Sequence, residues 1–409
     1  MNIALLHFSS PPVVGGVESV LASHARLMAN AGHQVMILAG RGNSINDQIS
    51  VRILPMLDSR HAEVLKIKAQ LDQGKIPPDF ERLKELISGE LQEELKVCDI
   101  LIVHNAASLN QNLPLSAAIH DRFSKPGFPR LILWHHDLAW TSPRYKDELH
   151  DCYPWNLLRS RWDGAEHVVV SEQRQKELSL LTGLPESSIK VIPNGIDVNA
   201  FYKLEPLTIR LVKELDLMNG DPLVLLPVRL TPRKNIELAL RVLAELKHQF
   251  PKAMLLVTGP EGPHNPENAL YKQRLLELRD ALSLQGAAHF LIEQTTDFIP
   301  DPVIADLYRF CDLLFFPSRE EGFGIPMIEA AFSSIPVFCA DILVLRELGG
   351  DDVNYFSPDA DPRSIASQIS ERLNNEMTSR WSRRAKHSYS WDSIYRLYIE
   401  PLILKERSK

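Results

Sequence analysis

Short, almost wholly apolar runs alternate with longer helical patterns along this chain, and the alternation occurs twice. In the first half the runs are 2–8 (NIALLHF), 34–39, 99–103, 130–134 (RLILW), 167–170 and 189–192, with helical patterns at 17–30, 80–96 and 172–182. In the second half they are 223–228 (LVLLPV), 253–258, 288–292, 312–316 (DLLFF) and 336–339, with helices at 234–248, 268–283, 301–310, 326–333 and 362–375. A strand apolar on both faces must be covered on both, which calls for parallel strands between two helical layers. Two such sets predict two doubly wound α/β domains. A chain of 409 residues is also longer than one core usually serves.

The turn cluster PNGID at 193–197 and the stretch 198–222, which lacks a clear apolar period, mark the expected join. The charged segment 60–96 reads as a solvated helical flank with nearly cancelling charges. A net charge of −7 argues against a general nucleic-acid binder. Four scattered cysteines without a CxxC pair suggest neither a disulfide framework nor zinc, and they fit a reducing cytoplasm. The N-terminus has no signal-peptide pattern, and no apolar run approaches the ~18 residues of a membrane span.

Ligands of such sheets bind where the strands end, so chemistry is expected in the loops that follow them. After 2–8, Gly15 and Gly16 open a helix, which reads either as a close backbone approach to an anion or as a plain tight turn. This is not GxGxxG, so a nicotinamide or flavin dinucleotide is unsupported. After 223–228 come Arg229, Arg233 and Lys234, cations suited to a diphosphate or simply solvated. A cation at a helix start opposes the macrodipole, a conflict an anion would relieve. After 312–316 comes REEGFGIPMIE, with Glu321 before a glycine turn and Glu329 expected in the first helical turn. Carboxylates at a helix start are held ionised, which suits acceptors of hydroxyl hydrogen bonds better than general acids; Glu329 could also serve only as a helix-start stabiliser. After 130–134 come His135, His136 and Asp137, without the spacing or partners of a metal site.

In PPVVGGVE (11–18), AGHQVMIL (31–38), HHD (135–137), VIPNGID (191–197), VRLTPRKN (228–235) and FPSREEGFGIPMIEA (316–330), the chain resembles the retaining family-4 glycosyltransferases of GT-B fold, over almost its whole length. The resemblance implies two Rossmann-like domains facing a central cleft. On this resemblance, residues 1–196 would form the acceptor side, with a returning helix at 388–409, and 197–387 would bind a nucleotide-diphosphate sugar. It implies transfer to an acceptor hydroxyl with retention, without a metal or resident cofactor. Arg229 and Lys234 would neutralise the diphosphate, and Glu321 with Gly322, Phe323 and Gly324 would hold donor sugar and phosphate. Glu329 would hold the ribose, Gly15 and Gly16 would approach the donor, and His136, with His135 as rival, would stand by the donor sugar. The diphosphate would itself take the acceptor's proton, and domain closure would assemble the site.

A small polar or glycan acceptor is expected near His104, Asn105, Trp140, Arg144, Tyr145 and Lys146, with Ser171 and Glu172 also lining the cleft. A peripheral membrane contact is left open. Asp359 and Asp361, the one DxD, read as a helix-capping loop. Glu293 stands where the family usually has glycine, and 259–274 is longer than usual, read as a capped helix entry or an extra cleft wall. An epimerase, a phosphorylase or a non-catalytic nucleotide-sugar-binding regulator could share this architecture.

Overall fold

The computed structural model describes residues 1–261, 267–295 and 299–405, with the backbone alone for 267–269. Two compact units emerge, one of Met1–Gly195 with Trp391–Lys409 and one of Ile196–Ser390. The chain leaves the first unit after 195 rather than 196 and returns at 391 rather than 388.

The first unit is built on seven parallel strands in the order β3-β2-β1-β4-β5-β6-β7. They are β1 Asn2–His7, β2 Gln34–Ala39, β3 Ile49–Ile53, β4 Ile100–His104, β5 Arg130–His135, β6 Glu166–Val169 and β7 Ile189–Val191. Side chains alternate between the faces. Ala4, Leu6, Leu101, Val103, Leu131 and Leu133 meet one helical layer, made of α2 Ala62–Leu71, α3 Asp79–Glu94 and α4 Leu113–Phe123. Ile3, Leu5, Ile100, Ile102, Ile132 and Trp134 meet α1 Gly16–Asn30 and the chain's closing helical stretch, through Trp391, Ile394, Ile399 and Leu402. Arg130 anchors that stretch by donating to the carbonyls of Leu402, Ile403 and Lys405, a cation at a helix C-terminus.

One expectation fails here. Segment 60–96 is no solvated flank, because α2 buries Val64, Ile67 and Leu71, and α3 buries Phe80, Leu83, Ile87 and Leu91. That three-and-four spacing seats both helices on the core while their charges face water. Strand β3 lacks the continuous apolar run of the other strands because it is a half-exposed edge carrying Ser50 and Arg52.

The second unit holds six parallel strands in the order β10-β9-β8-β11-β12-β13. They are β8 Leu223–Leu226, β9 Met254–Val257, β10 Ala288–Phe290, β11 Leu313–Phe316, β12 Val337–Ala340 and β13 Asn354–Phe356. Its helices follow α5 Glu172–Thr182 of the first unit. They are α6 Val198–Tyr202, α7 Pro206–Glu214, α8 Ile236–Leu246, α9 Glu267–Ala281, α10 Asp301–Phe310, α11 Ile325–Phe332, α12 Leu343–Gly349, α13 Pro362–Asn375 and α14 Met377–Tyr389. The join at 198–222, which lacks a clear apolar period, contains α6 and α7. Buried Asp306 of α10 accepts 2.7 Å bonds from the Glu205 amide and the Thr208 hydroxyl, so α7 is fixed from a hundred residues downstream. No helix among the described residues is long and apolar enough to cross a membrane, and all four cysteines are free.

Candidate functional site

In each sheet the strand order reverses at one place, between β1 and β4 in the first unit and between β8 and β11 in the second. Loops leaving two strands there diverge to opposite faces and open a crevice.

At the β8/β11 reversal, three links join the two loops. The Arg319 amide donates to the Arg233 carbonyl at 2.8 Å. The Arg233 guanidinium donates to the Glu320 carbonyl at 3.1 Å. Lys234 donates to the Glu321 carboxylate in an ion pair whose side chains are 10% and 9% exposed. Arg233 stands 4.0 Å from the other Glu321 oxygen. The cation at the helix start therefore has an anion within the protein, and the macrodipole conflict does not by itself call for a ligand. Lys234 lies in a 3-10 turn, Pro232–Lys234, just ahead of α8.

Arg229 is exposed and makes no ion pair among the described residues. It borders a cavity of about 160 Å³ with Thr258, Gly259 and Leu291. Gly259 permits this, since a Cβ there would lie 2.0 Å from the Val228 carbonyl oxygen. The hydroxyls of Thr231 and Ser318 are buried with no partner among the described residues. The amides of Gly322, Phe323 and Gly324 donate to no described residue. Gly324 takes φ +100°, and a Cβ there would come within 2.7 Å of Leu345. Free amides, orphan hydroxyls and an unpaired guanidinium together make an anion-accepting edge.

Glu329 departs from expectation. Helix α11 begins at Ile325, so Glu329 is its fifth residue, past the first turn and outside the reach of the N-terminal dipole. It stands beside Tyr308, whose hydroxyl is pushed up by burial and, second, by the Glu329 carboxylate. Asp361 caps α13, accepting from the Arg363 amide at 3.4 Å, and Asp359 pairs with Arg319 at 2.6 Å. Glu293 is bound by Arg279 through two bonds of 2.6 and 3.1 Å. Within the long 259–274 stretch, residues 262–266 lie outside the described residues, and α9 begins at Glu267.

At the β1/β4 reversal, α1 starts at Gly16 with Gly15 as its cap. Glu18, three positions on, folds back as capping-box spacing allows. Ser9 donates to it at 2.6 Å, and a Cβ on Gly15 would lie 2.1 Å from its carboxylate. A Cβ on Gly16 would meet nothing within 4 Å. Glu18 and Ser9 were not singled out from sequence, although the Gly-x-x-Glu spacing was there to find.

The HHD histidines diverge. His135 Nε2 bonds His167 Nδ1 at 3.1 Å, while His136 Nε2 bonds His104 Nδ1 at 3.0 Å. Burial lowers the His136 imidazole to about 3, helped by nearby His7, so it is neutral at physiological pH. Asn105, at φ +59°, accepts the His136 and Asp137 amides at 2.8 and 3.3 Å. His104 and Asn105 are thus buried and committed inside the protein, at 0% and 2% exposure, and cannot meet an acceptor as expected. Trp140 is committed too: its indole N–H donates to the Trp155 carbonyl at 3.1 Å, and Arg159 stacks on it at 4.1 Å. Tyr145 packs on the first core with Arg144 over its ring at 5.3 Å, which leaves Arg144 and Lys146 exposed. Ser171 caps α5 by accepting from the Arg174 amide.

Residues 14–200 match the model of Glycosyltransferase Family 4, and residues 210–388 match that of glycosyl transferases group 1. The mannosylglucosylglycerate synthase of Petrotoga mobilis is 26% identical over 369 residues, 85% of this chain and 84% of its own. The corresponding protein of Thermotoga maritima is 24% identical over 367 residues, 85% and 82% of the two chains. The D-inositol 3-phosphate glycosyltransferase of Nocardia farcinica is 30% identical over 178 residues, 43% of this chain and 37% of its own. With one family model on each half and two doubly wound parallel sheets, the chain belongs to the family-4 glycosyltransferases of GT-B fold.

Proposed function

We propose that the protein transfers a sugar from a nucleotide-diphosphate donor to an acceptor hydroxyl with retention of configuration, without a bound metal. The observation that carries this is the β8/β11 edge, where Arg229, the Lys234–Glu321 pair and the free amides of 322–324 converge. As the bond from the anomeric carbon to the diphosphate breaks, negative charge grows on the leaving oxygen. Arg229, Lys234 and those amides are placed to stabilise it, the task a metal would otherwise perform. The acceptor oxygen bonds the same face of that carbon, and its proton passes to the departing diphosphate, so no protein base is required.

Glu321 orients Lys234 and takes a sugar hydroxyl bond with its second oxygen. Glu329 accepts from the ribose, and Gly16 and His136 have the donor-facing roles that the resemblance gives them. The exposed Arg144 and Lys146 favour a small polar acceptor that carries negative charge. Two relatives are named for products or substrates of that kind, a glycerate and an inositol phosphate.

A panel of UDP-, GDP- and ADP-sugars in thermal unfolding tests the donor. At a hundred times its Kd a true donor adds about 2.7 kcal/mol. Nucleotide release from that donor should require an acceptor, survive chelation, and give a product with the donor's anomeric configuration. Release without acceptor would mean a hydrolase or epimerase, and an inverted product would overturn retention.

A further inference from the structure

We propose that His104 is a positioning residue that holds His136 in a single neutral tautomer, with Nδ1–H as a hydrogen-bond donor to the reacting sugar. This rests on the donor-facing role proposed above for His136.

Strand pairing brings the two rings together. Parallel β4 and β5 set His104 opposite Trp134, and His136 comes two residues later, just past the end of β5. His104 stacks on Trp134 at 5.7 Å and on His136 at 5.4 Å between ring centres. The 3.0 Å bond from His104 Nδ1 to His136 Nε2 needs one proton between the two nitrogens.

If His136 supplied it, neutral His104 would carry its other proton on Nε2, which is buried with no acceptor among the described residues. If His104 supplies it, Nε2 is a bare lone pair, and no N–H is stranded. Buried orphan donors are the rarer defect in proteins. The second arrangement gives His136 its proton on Nδ1, which no described residue engages.

A second proton on either ring is opposed from all sides. The titratable groups around His104 are His7, His24 and His136, all histidines whose affinity for protons is lowered, mainly by burial. The nearest carboxylate in the network, Glu18, lies 4.0 Å from His7 Nε2. The His136 backbone is fixed as well, through Asn105. A free imidazole would exchange tautomers and act as a base; this one is held as a donor, so it can fix a sugar oxygen in place but cannot take a proton from the acceptor.

Long-range proton–nitrogen correlation on the full chain labelled with ¹⁵N-histidine reads the tautomer directly, with His136→Gln for assignment. The expected spectrum has His136 Nδ1 protonated and Nε2 bare, unchanged from pH 8 to pH 6. A protonated Nε2, or titration of His136 near its ordinary value, overturns the inference. This arm needs no variant of His104 to fold. In His104→Phe the His136 signals should become a tautomer mixture, and in His104→Gln, which keeps an amide donor, they should stay as in the native protein.

Turnover is then read with whichever of UDP-glucose, GDP-mannose and ADP-glucose proves to be the donor. His104→Phe should lower kcat about 10- to 100-fold with little change in donor KM, and His104→Gln should recover most of it. If His136→Gln leaves kcat unchanged, the role given to His136 is wrong. If His136→Gln slows turnover and His104→Phe does not, only the positioning by His104 is wrong.

Discussion

Replacing Lys234 by methionine strands the Glu321 carboxylate. Both side chains are nine-tenths enclosed, so water cannot restore the lost partner. Removing one member of a buried pair costs about 3–5 kcal/mol. Arg233, 4.0 Å from the second Glu321 oxygen, compensates in part and sets the expectation at the lower end, ~3 kcal/mol. Methionine keeps the packing on Phe316, over whose ring the Lys234 amine sits at 5.5 Å. Glu321→Gln leaves the lysine an amide oxygen to bond and should cost less, about 1–3 kcal/mol. The double variant buries no charge and should fall well short of the sum, a coupling of roughly 2 kcal/mol. For a unit of roughly 200 residues, 3 kcal/mol lowers Tm by about 6–12 °C. Calorimetry of the full chain should show that drop in one of two transitions, that of the second unit. If the two single effects add to within about 0.5 kcal/mol, the pair is not coupled and this account of the edge is wrong.

Acid should unfold the first unit first. His24 and His136 are lowered by burial to about 3 and His167 to about 4, from an ordinary 6.5, and His104 and His135 lie well below it. The unfolded chain takes up these protons as pH falls through 6.5 and the folded unit does not, so stability is complete above 6.5 and declines below it. Each ring adds about 1.4 kcal/mol of loss per pH unit, and a flat first transition between pH 7 and pH 5 would contradict this. Gly16→Ala should leave Tm within about 1 °C, since its Cβ enters open space, while weakening donor binding in the thermal-shift panel. Gly15→Ala should displace Glu18 and lower stability by about 1 kcal/mol through the lost Ser9 bond. Gly324→Ala forces a side chain into φ +100° against Leu345 and should destabilise the second unit by about 1–3 kcal/mol, read in urea.

Local chemistry made much of this molecule readable in advance. Runs such as RLILW and DLLFF are apolar on both faces, and only a helix-covered parallel strand accommodates that, so the two doubly wound sheets followed. The loops after those strands hold Arg229, Lys234, Glu321 and His136, because strand ends are where such sheets expose polar groups. Elements whose stability comes from elsewhere were hidden. Strand β13 is only three residues long, and α7 is capped by Asp306 from far along the chain.

Partnership was beyond the sequence altogether. Lys234 read as a cation awaiting an anion, but it already has Glu321, 87 residues away. His104 read as an acceptor contact, but parallel pairing of β4 with β5 puts it under His136. Residue types and periodicity determined which strands form and where charge gathers, because those depend on each residue and its near neighbours. Which charge meets which, and which histidine carries its proton on which nitrogen, depends on distances between residues remote in the chain, and only the tertiary structure decides those.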